Sequence, residues 1–221
     1  MWDPAYAADK GFIVEVGESE YLHYFGGTRW RAVDDDNACG GPTLILTLDL
    51  ADEYLASLTA SRLSSLPICA YLNSSASGSQ QLYRIVPEDD RVSLVSRAET
   101  HPVCFDEDTM LPNPLPEKRV RLREMLSDEY PVDEETFYKA FDKYCRGTAF
   151  IRVLGQPLWD SPESPDDLTC PQCQQVMEYV VGIGYERRPN FIDARPFFIG
   201  ETFLYFFLCS RCLLLQVRPQ G

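Results

Sequence analysis

The sequence predicts an α+β fold rich in β-strands, built as two related lobes of mainly antiparallel strands joined by a helical connector. Short apolar stretches with alternating or β-branched residues recur along the chain, and glycine, proline and acidic turns separate them. The stretch between residues 98 and 147 contains a clear helical pattern instead, and two Cys-x-x-Cys pairs lie in the last quarter of the chain. We therefore divide the 221 residues into an N-terminal lobe (1–97), a connector (98–147) and a C-terminal lobe (148–221).

In the N-terminal lobe, the first two strands are expected to form a hairpin. FIVEV (12–16) and EYLHYF (20–25) alternate or run apolar, and the turn residues GES lie between them. A helix with a leucine stripe is expected between the third and fourth strands, and Pro67 marks its end. The other predicted strands are TLILTLDL (43–50), ICAYLN (68–73), QLYRIVP (81–87) and RVSLVS (91–96). The last three predict a meander on one side of a core.

The connector is expected to hold an irregular arm and two helices. Residues 98–117 contain HP, DED and PNPLP, which are typical of a linker. EKRVRLREML (117–126) is helical by composition. VDEETFYKAFDKYCRG (132–147) is the clearest helix, because Asp133 is a good N-cap and apolar residues recur every three or four positions. The residues of this stripe, which are expected to pack in a core, are Phe137, Ala140, Phe141, Tyr144 and Cys145.

The C-terminal lobe returns to strands. They are AFIRVLG (149–155), VMEYVVGIGY (176–185), TFLYFFL (202–208) and LLLQVRP (213–219). The last two predict a hairpin whose tip carries Cys209 and Cys212. FGGTRW (25–30) and LGQPLW (154–159) share a glycine and a tryptophan at the same spacing, and each opens a β-rich stretch. This faint repeat indicates that the two lobes are related.

Four of the eight cysteines form a metal-ligand pattern: Cys170, Cys173, Cys209 and Cys212. A Cys-x-x-Cys turn points two sulfurs into one volume, and two such turns supply the four thiolates that suit tetrahedral Zn²⁺. We therefore predict a zinc knuckle pair with a structural role. A reduced, metal-free cluster and a redox pair are the alternatives, although Arg211 is the one basic neighbour that would activate a thiol.

Two further points concern the cysteines. Zinc knuckles often carry glycine directly after the second cysteine, where the backbone turns sharply, but Gln174 and Leu213 stand at these positions here. The remaining cysteines are scattered, and we interpret each as a small buried or neutral residue. They are Cys39, Cys69, Cys104 and Cys145.

The charge of the chain bears on its partners. A net charge of −14 repels phosphate backbones, which argues against direct binding of nucleic acid. The acids occur in blocks, which either form a solvated surface or attract a basic partner. The residues that we select as candidates for partner binding are Asp34, Asp35, Asp36, Asp106, Glu107 and Asp108.

The sequence offers little for catalysis or for a membrane. It has only two histidines, His23 and His101, and it lacks the nucleophile-elbow, phosphate-loop, zinc-protease and dinucleotide motifs. We therefore do not expect an enzyme, and a metal-dependent one remains the third choice of function. No apolar run approaches the roughly 20 residues that span a bilayer. The N-terminal MWDPAYAADK lacks the pattern of a signal peptide, so the expected location is the cytoplasm.

Several of these motifs, in this order, resemble a known family. FGGTRW, PTLILTLDL, LPICAYLN and QLYRIVP, followed by LGQPLW, CPQC and FLYFFLCSRC, are similar to the YwqG-like family of bacterial proteins. The C-terminal part also resembles the cysteine-bearing lobe of the eukaryotic programmed-cell-death-2 proteins. The resemblance covers most of the chain outside residues 98–147, and only the four cysteines match a site-like motif.

The resemblance implies a binding function. Proteins of this kind occur among the immunity proteins that bacteria keep beside secreted toxins, including type VI secretion effectors. The expected function is therefore that of an antitoxin, an immunity protein that neutralises a cognate toxin through protein–protein interaction. A basic nuclease is a sensible partner. The main alternative is a chaperone or adaptor that escorts a basic client.

Overall fold

The computed structural model describes residues 11–35, 38–58, 62–126, 129–131, 133–147, 149–159 and 168–221. Within these ranges, twelve strands form one sheet and the main helix packs against it. The strands are β1 (Phe12–Val16), β2 (His23–Phe25), β3 (Arg31–Val33), β4 (Thr43–Asp49), β5 (Ser65–Ala70), β6 (Gln81–Val86), β7 (Arg91–Arg97), β8 (Lys118–Glu124), β9 (Ile151–Val153), β10 (Glu178–Ile183), β11 (Phe203–Cys209) and β12 (Leu214–Gln220), and the helix is α1 (Glu134–Cys145). The prediction of a β-rich fold is confirmed.

The order of the strands shows how the two predicted lobes are combined. The sheet runs β3-β7-β6-β12-β11-β10-β9-β1-β8-β2-β4-β5. Every neighbouring pair is antiparallel except β3 and β7, which are parallel. The strands of the C-terminal lobe, β9 to β12, form a continuous meander, and strands of the N-terminal lobe lie on both sides of it. The two lobes therefore share one sheet.

The two ends of the sheet approach each other, so that the sheet is nearly closed. Trp30, directly before β3, donates from Nε1 to the hydroxyl of Ser65 at the start of β5, at 3.1 Å. The hydroxyl of Tyr71, directly after β5, donates to the carboxylate of Asp34, directly after β3. Side chains thus join the two edge strands where backbone pairing stops.

Strand β11 shows why the fold has two cores. All seven of its residues are buried, and successive side chains point to opposite faces. Leu204, Phe206 and Leu208 belong to the large core enclosed by the sheet. Phe203 and Phe207 belong to a second core on the outer face, which α1 covers. The continuous apolar sequence FLYFFLC is typical of a strand that is covered on both faces.

The helix α1 forms where the sequence predicts it. The Asp133 carboxylate accepts from the Thr136 amide at 2.8 Å, and the Thr136 hydroxyl accepts from the Asp133 amide at 3.0 Å, so a capping box starts the helix. Phe141 meets Phe203 edge-on at 5.1 Å, which docks the apolar stripe on the sheet. No helix in the described ranges is long and apolar enough to cross a membrane.

The prediction of a helix over residues 117–126 is wrong, because Lys118–Glu124 forms β8. Its residues favour a helix by composition, but their polarity alternates with a period of two. Val120 is fully buried, whereas Arg121 and Arg123 both bond to Glu15 on β1. Packing of the alternating pattern overrides helix propensity here.

The position of β8 also corrects the predicted first hairpin. β8 lies between β1 and β2 and pairs with both, so these two strands are not neighbours. The helix predicted between β4 and β5 is a short 3-10 helix, Glu53–Leu58, of which Leu55 and Leu58 are buried. The hairpins β6–β7 and β11–β12 form as predicted. The predicted meander is wrong for its first pair, because β5 pairs with β4 at one edge of the sheet whereas β6 pairs with β12 and β7.

Candidate functional site

The four predicted ligand cysteines come together at one end of the C-terminal meander. Cys170 and Cys173 lie in a turn before β10, while Cys209 ends β11 and Cys212 lies in the turn to β12. All four sulfurs lie within 4.8 Å of one another, and those of Cys173 and Cys209 are 3.6 Å apart. Zn–S bonds of about 2.3 Å place tetrahedral sulfurs about 3.8 Å apart. The cluster therefore has the size of a four-thiolate metal site.

The two cysteine turns share a backbone feature. Gln174 and Leu213, each directly after a second cysteine, have φ of 60° and 54°. This left-handed conformation is the one that glycine adopts at little cost. In the first turn, the Gln174 amide donates to the Cys170 carbonyl at 2.8 Å, and the Cys170 amide donates to the Gln175 carbonyl at 2.7 Å. The knuckle geometry is thus reached without glycine.

The thiols differ in their ease of ionisation. A hydrogen bond from the backbone of Gln175 lowers the pKa of Cys173 to about 7, and the neighbouring cysteines contribute to this shift. Burial raises the pKa of Cys209, and it raises the pKa of Cys212 to about 12. Because metals bind thiolates, binding to this cluster would release protons and would weaken at low pH.

The cysteine cluster adjoins the second core. Cys170 and Cys209 are buried and pack with Met177, Phe207 and Leu214, whereas the other two cysteines are half-buried at the rim. Four cysteine ligands complete a tetrahedral shell, which is the arrangement of structural rather than catalytic zinc sites. A metal ion bound to these four cysteines would join the turn before β10 to the tip of the β11–β12 hairpin.

Two of the remaining cysteines form a disulfide, which corrects their interpretation as isolated residues. Cys39 and Cys104 are bonded across a sequence separation of 65 residues. Cys69 and Cys145 are buried, as the sequence predicts, and neither is part of a disulfide. The pairing was missed because cysteine spacing alone does not determine connectivity.

The disulfide brings together two segments that carry predicted partner-binding acids. Asp35 lies just before Cys39, and Asp106, Glu107 and Asp108 follow Cys104. All four acids are exposed, and no cation of the described residues forms an ion pair with their carboxylates. We call these four residues the acidic surface. The sixth candidate, Asp36, lies outside the described residues.

Asp34 does not belong to this surface, so its prediction as an exposed acid is wrong. Its side chain is only 7% exposed and forms an ion pair with Arg97 at 2.5 Å. The hydroxyl of Tyr71 donates to the same carboxylate. Asp34 follows β3 directly, and its side chain points inward, where it helps to join the two edges of the sheet.

His23 is buried, and both of its ring nitrogens form hydrogen bonds within the protein. The side chain is fully buried, and its Nδ1 accepts from the Asp49 amide at 3.0 Å. The network therefore assigns the proton to Nε2, which donates to Asp52 at 2.9 Å. These two hydrogen bonds connect β2 to the end of β4 and to the loop that follows it. His101 is exposed on the arm before Cys104.

No family model, no curated protein and no solved structure matches this chain.

Proposed function

We propose that the protein is an immunity protein that binds and neutralises a toxic secreted effector through its acidic surface. The observation that carries the proposal is a set of four exposed carboxylates that form no ion pair with the described part of the chain and lie on two segments that a disulfide joins. The net charge of −14 adds to the negative electrostatic potential around this surface. The resemblance to YwqG-like proteins suggests a type VI effector, and the charge suggests a basic one.

The acidic surface would act mainly through electrostatic attraction of a basic partner. Exposed acids increase the rate at which a basic partner associates at low salt. At an ionic strength of 0.1 M, dissolved ions screen the attraction between charges that are more than about 10 Å apart. A nuclease is a suitable target, because its active site attracts polyanions and acidic loops can occupy it. Association should therefore be fast and sensitive to salt.

The first test is co-expression with the product of the adjacent gene. We expect that product to be toxic alone and harmless beside this protein. If it is not toxic alone, or remains toxic beside this protein, the proposal is wrong. If pull-down from cells instead recovers many basic clients, the chain acts as an adaptor and the immunity function is rejected.

The second test asks whether the acidic surface is the binding site. Asp106→Asn with Asp108→Asn should slow association with the effector about tenfold at low salt. Glu88→Gln with Asp90→Asn is the matched control, because it removes the same charge from an exposed turn elsewhere. Equal association rates for the two double variants would reject this surface as the interface.

We also propose that the cysteine cluster holds zinc in a structural role. The support is the tetrahedral size of the cluster and its closed set of four thiols. Metal analysis should find about one zinc per chain, and Cys170→Ser should lose the zinc and lower the melting temperature. Cys145→Ser changes a buried cysteine outside the cluster and should retain the zinc. A metal-free protein whose stability is unchanged by Cys170→Ser would remove zinc from the proposal.

The proposed location is the cytoplasm, and the disulfide supplies a test. Cytoplasmic thiol buffers keep most cysteine pairs reduced. Alkylation of intact cells followed by mass spectrometry of the peptides with Cys39 and Cys104 would measure their redox state. A fully oxidised pair in cells would favour an oxidising compartment instead.

A further inference from the structure

Two sulfurs of the cysteine cluster are close enough to react with each other. Cys173 Sγ lies 3.6 Å from Cys209 Sγ, whereas the two sulfurs of a disulfide are about 2.05 Å apart. Small rotations about the side-chain bonds can close the remaining gap of about 1.5 Å. Neither cysteine is part of a disulfide, so both sulfurs are in the reduced state.

The two cysteines differ in their access to solvent. Cys173 is half-buried at the rim of the cluster, and its neighbours Gln172 and Gln174 are exposed. Cys209 is only 5% exposed and packs in the second core, and Cys170 is fully buried. A small oxidant therefore reaches Cys173 from the solvent, while Cys209 lies sheltered beside it. An accessible thiol next to a second thiol is the arrangement of an attacking and a resolving cysteine.

The same two cysteines belong to different elements of the fold. Cys173 lies in the turn before β10 and Cys209 ends β11, 36 residues later. Internal hydrogen bonds shape the turn, because the Cys170 amide donates to the Gln175 carbonyl at 2.7 Å and the Gln174 amide donates to the Cys170 carbonyl at 2.8 Å. A bond between Cys173 and Cys209 would therefore attach an already shaped turn to the sheet at the position of the cluster.

We propose that the cysteine cluster is a peroxide-reactive site, in which Cys173 is oxidised first and a Cys173–Cys209 disulfide then replaces the metal as the link between the turn and the hairpin. The Cys173 thiolate attacks one peroxide oxygen. An S–O bond forms, the O–O bond breaks, and the leaving hydroxide takes up a proton to become water. The Cys209 thiolate then attacks the Cys173 sulfur. The S–S bond forms, the S–O bond breaks, and a second water leaves, so two thiols lose two electrons and one peroxide is reduced to two water molecules.

Oxidation would have a different result from simple loss of the metal. After the disulfide forms, Cys170 and Cys212 would leave a zinc ion with two of its four ligands, so the metal should be released. This release rests on the proposed structural zinc, whereas the disulfide step uses only sulfurs of the chain and does not depend on the immunity function. The oxidised form keeps the turn joined to the hairpin, so it should be more stable than a reduced form without metal.

The test treats the wild-type protein with one equivalent of hydrogen peroxide and maps its disulfides by mass spectrometry without reduction. A Cys173–Cys209 crosslink is expected beside the Cys39–Cys104 bond, and a zinc-sensitive dye should record one zinc released per crosslink. A crosslink without zinc release would reject the zinc proposal and would still support the peroxide-reactive site. A first crosslink within either Cys-x-x-Cys pair would overturn it.

Melting temperatures give a second measurement on the wild type. A sample freed of metal by a chelator and then oxidised should have a Tm about 4–16 °C above that of the chelated sample without peroxide, which is the range for one disulfide in a chain of this length. The Cys39–Cys104 bond is intact in both samples, so it does not contribute to the difference. Equal melting temperatures would overturn the proposal.

Serine variants test the two assigned roles. Cys173→Ser should lose the crosslink, and Cys212→Ser, the matched control at the rim, should keep it. Cys209→Ser should stop the reaction at a sulfenic acid, which a dimedone-type probe would label at Cys173. If Cys212→Ser loses the crosslink while Cys173→Ser is oxidised as fast as the wild type, the assigned roles are wrong. The disulfide map of the wild type remains decisive even if a variant fails to fold.

Discussion

Removal of the Cys39–Cys104 disulfide should lower stability by about 4 kcal/mol. The bond closes a loop of 65 residues, and chain-entropy reasoning for a loop of this length gives about 14 cal/mol/K, or about 4 kcal/mol at 25 °C. The loop contains β4 to β7, so the crosslink restricts the unfolded chain over a third of the sheet. For a chain of this length, the loss corresponds to a fall in Tm of about 8–16 °C.

The assay is urea unfolding of the wild type and of the double variant Cys39→Ser with Cys104→Ser, each with and without a phosphine reductant. The reductant should bring the wild type to the stability of the variant and should leave the variant unchanged. A phosphine is used because thiol reductants also bind zinc. If the oxidised wild type and the variant unfold at the same urea concentration, the crosslink does not stabilise the fold and the reasoning fails.

Three other predictions follow from single contacts and are read by urea unfolding or pH titration. Gln174→Gly should raise the free energy of unfolding by about 0.5 kcal/mol, because a φ of 60° is strained for a residue with a side chain. Gln175→Gly is the control and should lower the free energy of unfolding. Equal effects of the two substitutions would contradict this reasoning. Gly184→Ala should cost about 2–3 kcal/mol, because its Cβ would lie 1.8 Å from the carbonyl oxygen of the last residue of α1; an unchanged midpoint would refute the contact. Although burial opposes it, the hydrogen bond from Arg123 holds the pKa of Glu129 low, so Glu129→Gln should cost about 1–2 kcal/mol at pH 7. That cost should shrink progressively as the pH falls below about 4, and a difference independent of pH would argue against the ion pair.

The sequence was informative where one local signal decides the structure. The capping residue Asp133 and the apolar stripe identify α1 without knowledge of the rest of the fold. The β11–β12 hairpin was predictable because two apolar runs flank a short turn, and the turn carries Cys209 and Cys212. The meeting of the four cysteines was predictable for the same reason, since each Cys-x-x-Cys pair is local in the sequence.

The sequence was misleading where the conformation of a segment depends on residues that are distant in the chain. The composition of β8 predicts a helix, because its charged residues favour one in isolation. The strand forms because β1, with Glu15, and β2 pair with it. Asp34 cannot be told from the neighbouring acids by sequence, but its side chain is buried in an ion pair with Arg97, which lies more than 60 residues away in the chain. The Cys39–Cys104 pairing likewise depends on two arms that meet only in the folded chain.

Because β12 pairs with β6 on one side and β11 on the other, the sheet cannot be completed on a ribosome until β12 has emerged. β6 is synthesised about 130 residues earlier, which corresponds to roughly 6–26 s of translation. During this interval the free edge of β6 can pair with other nascent chains. The many acids of the N-terminal lobe would keep such chains apart by repulsion. Negative charge would then protect the growing chain as well as serve the finished protein.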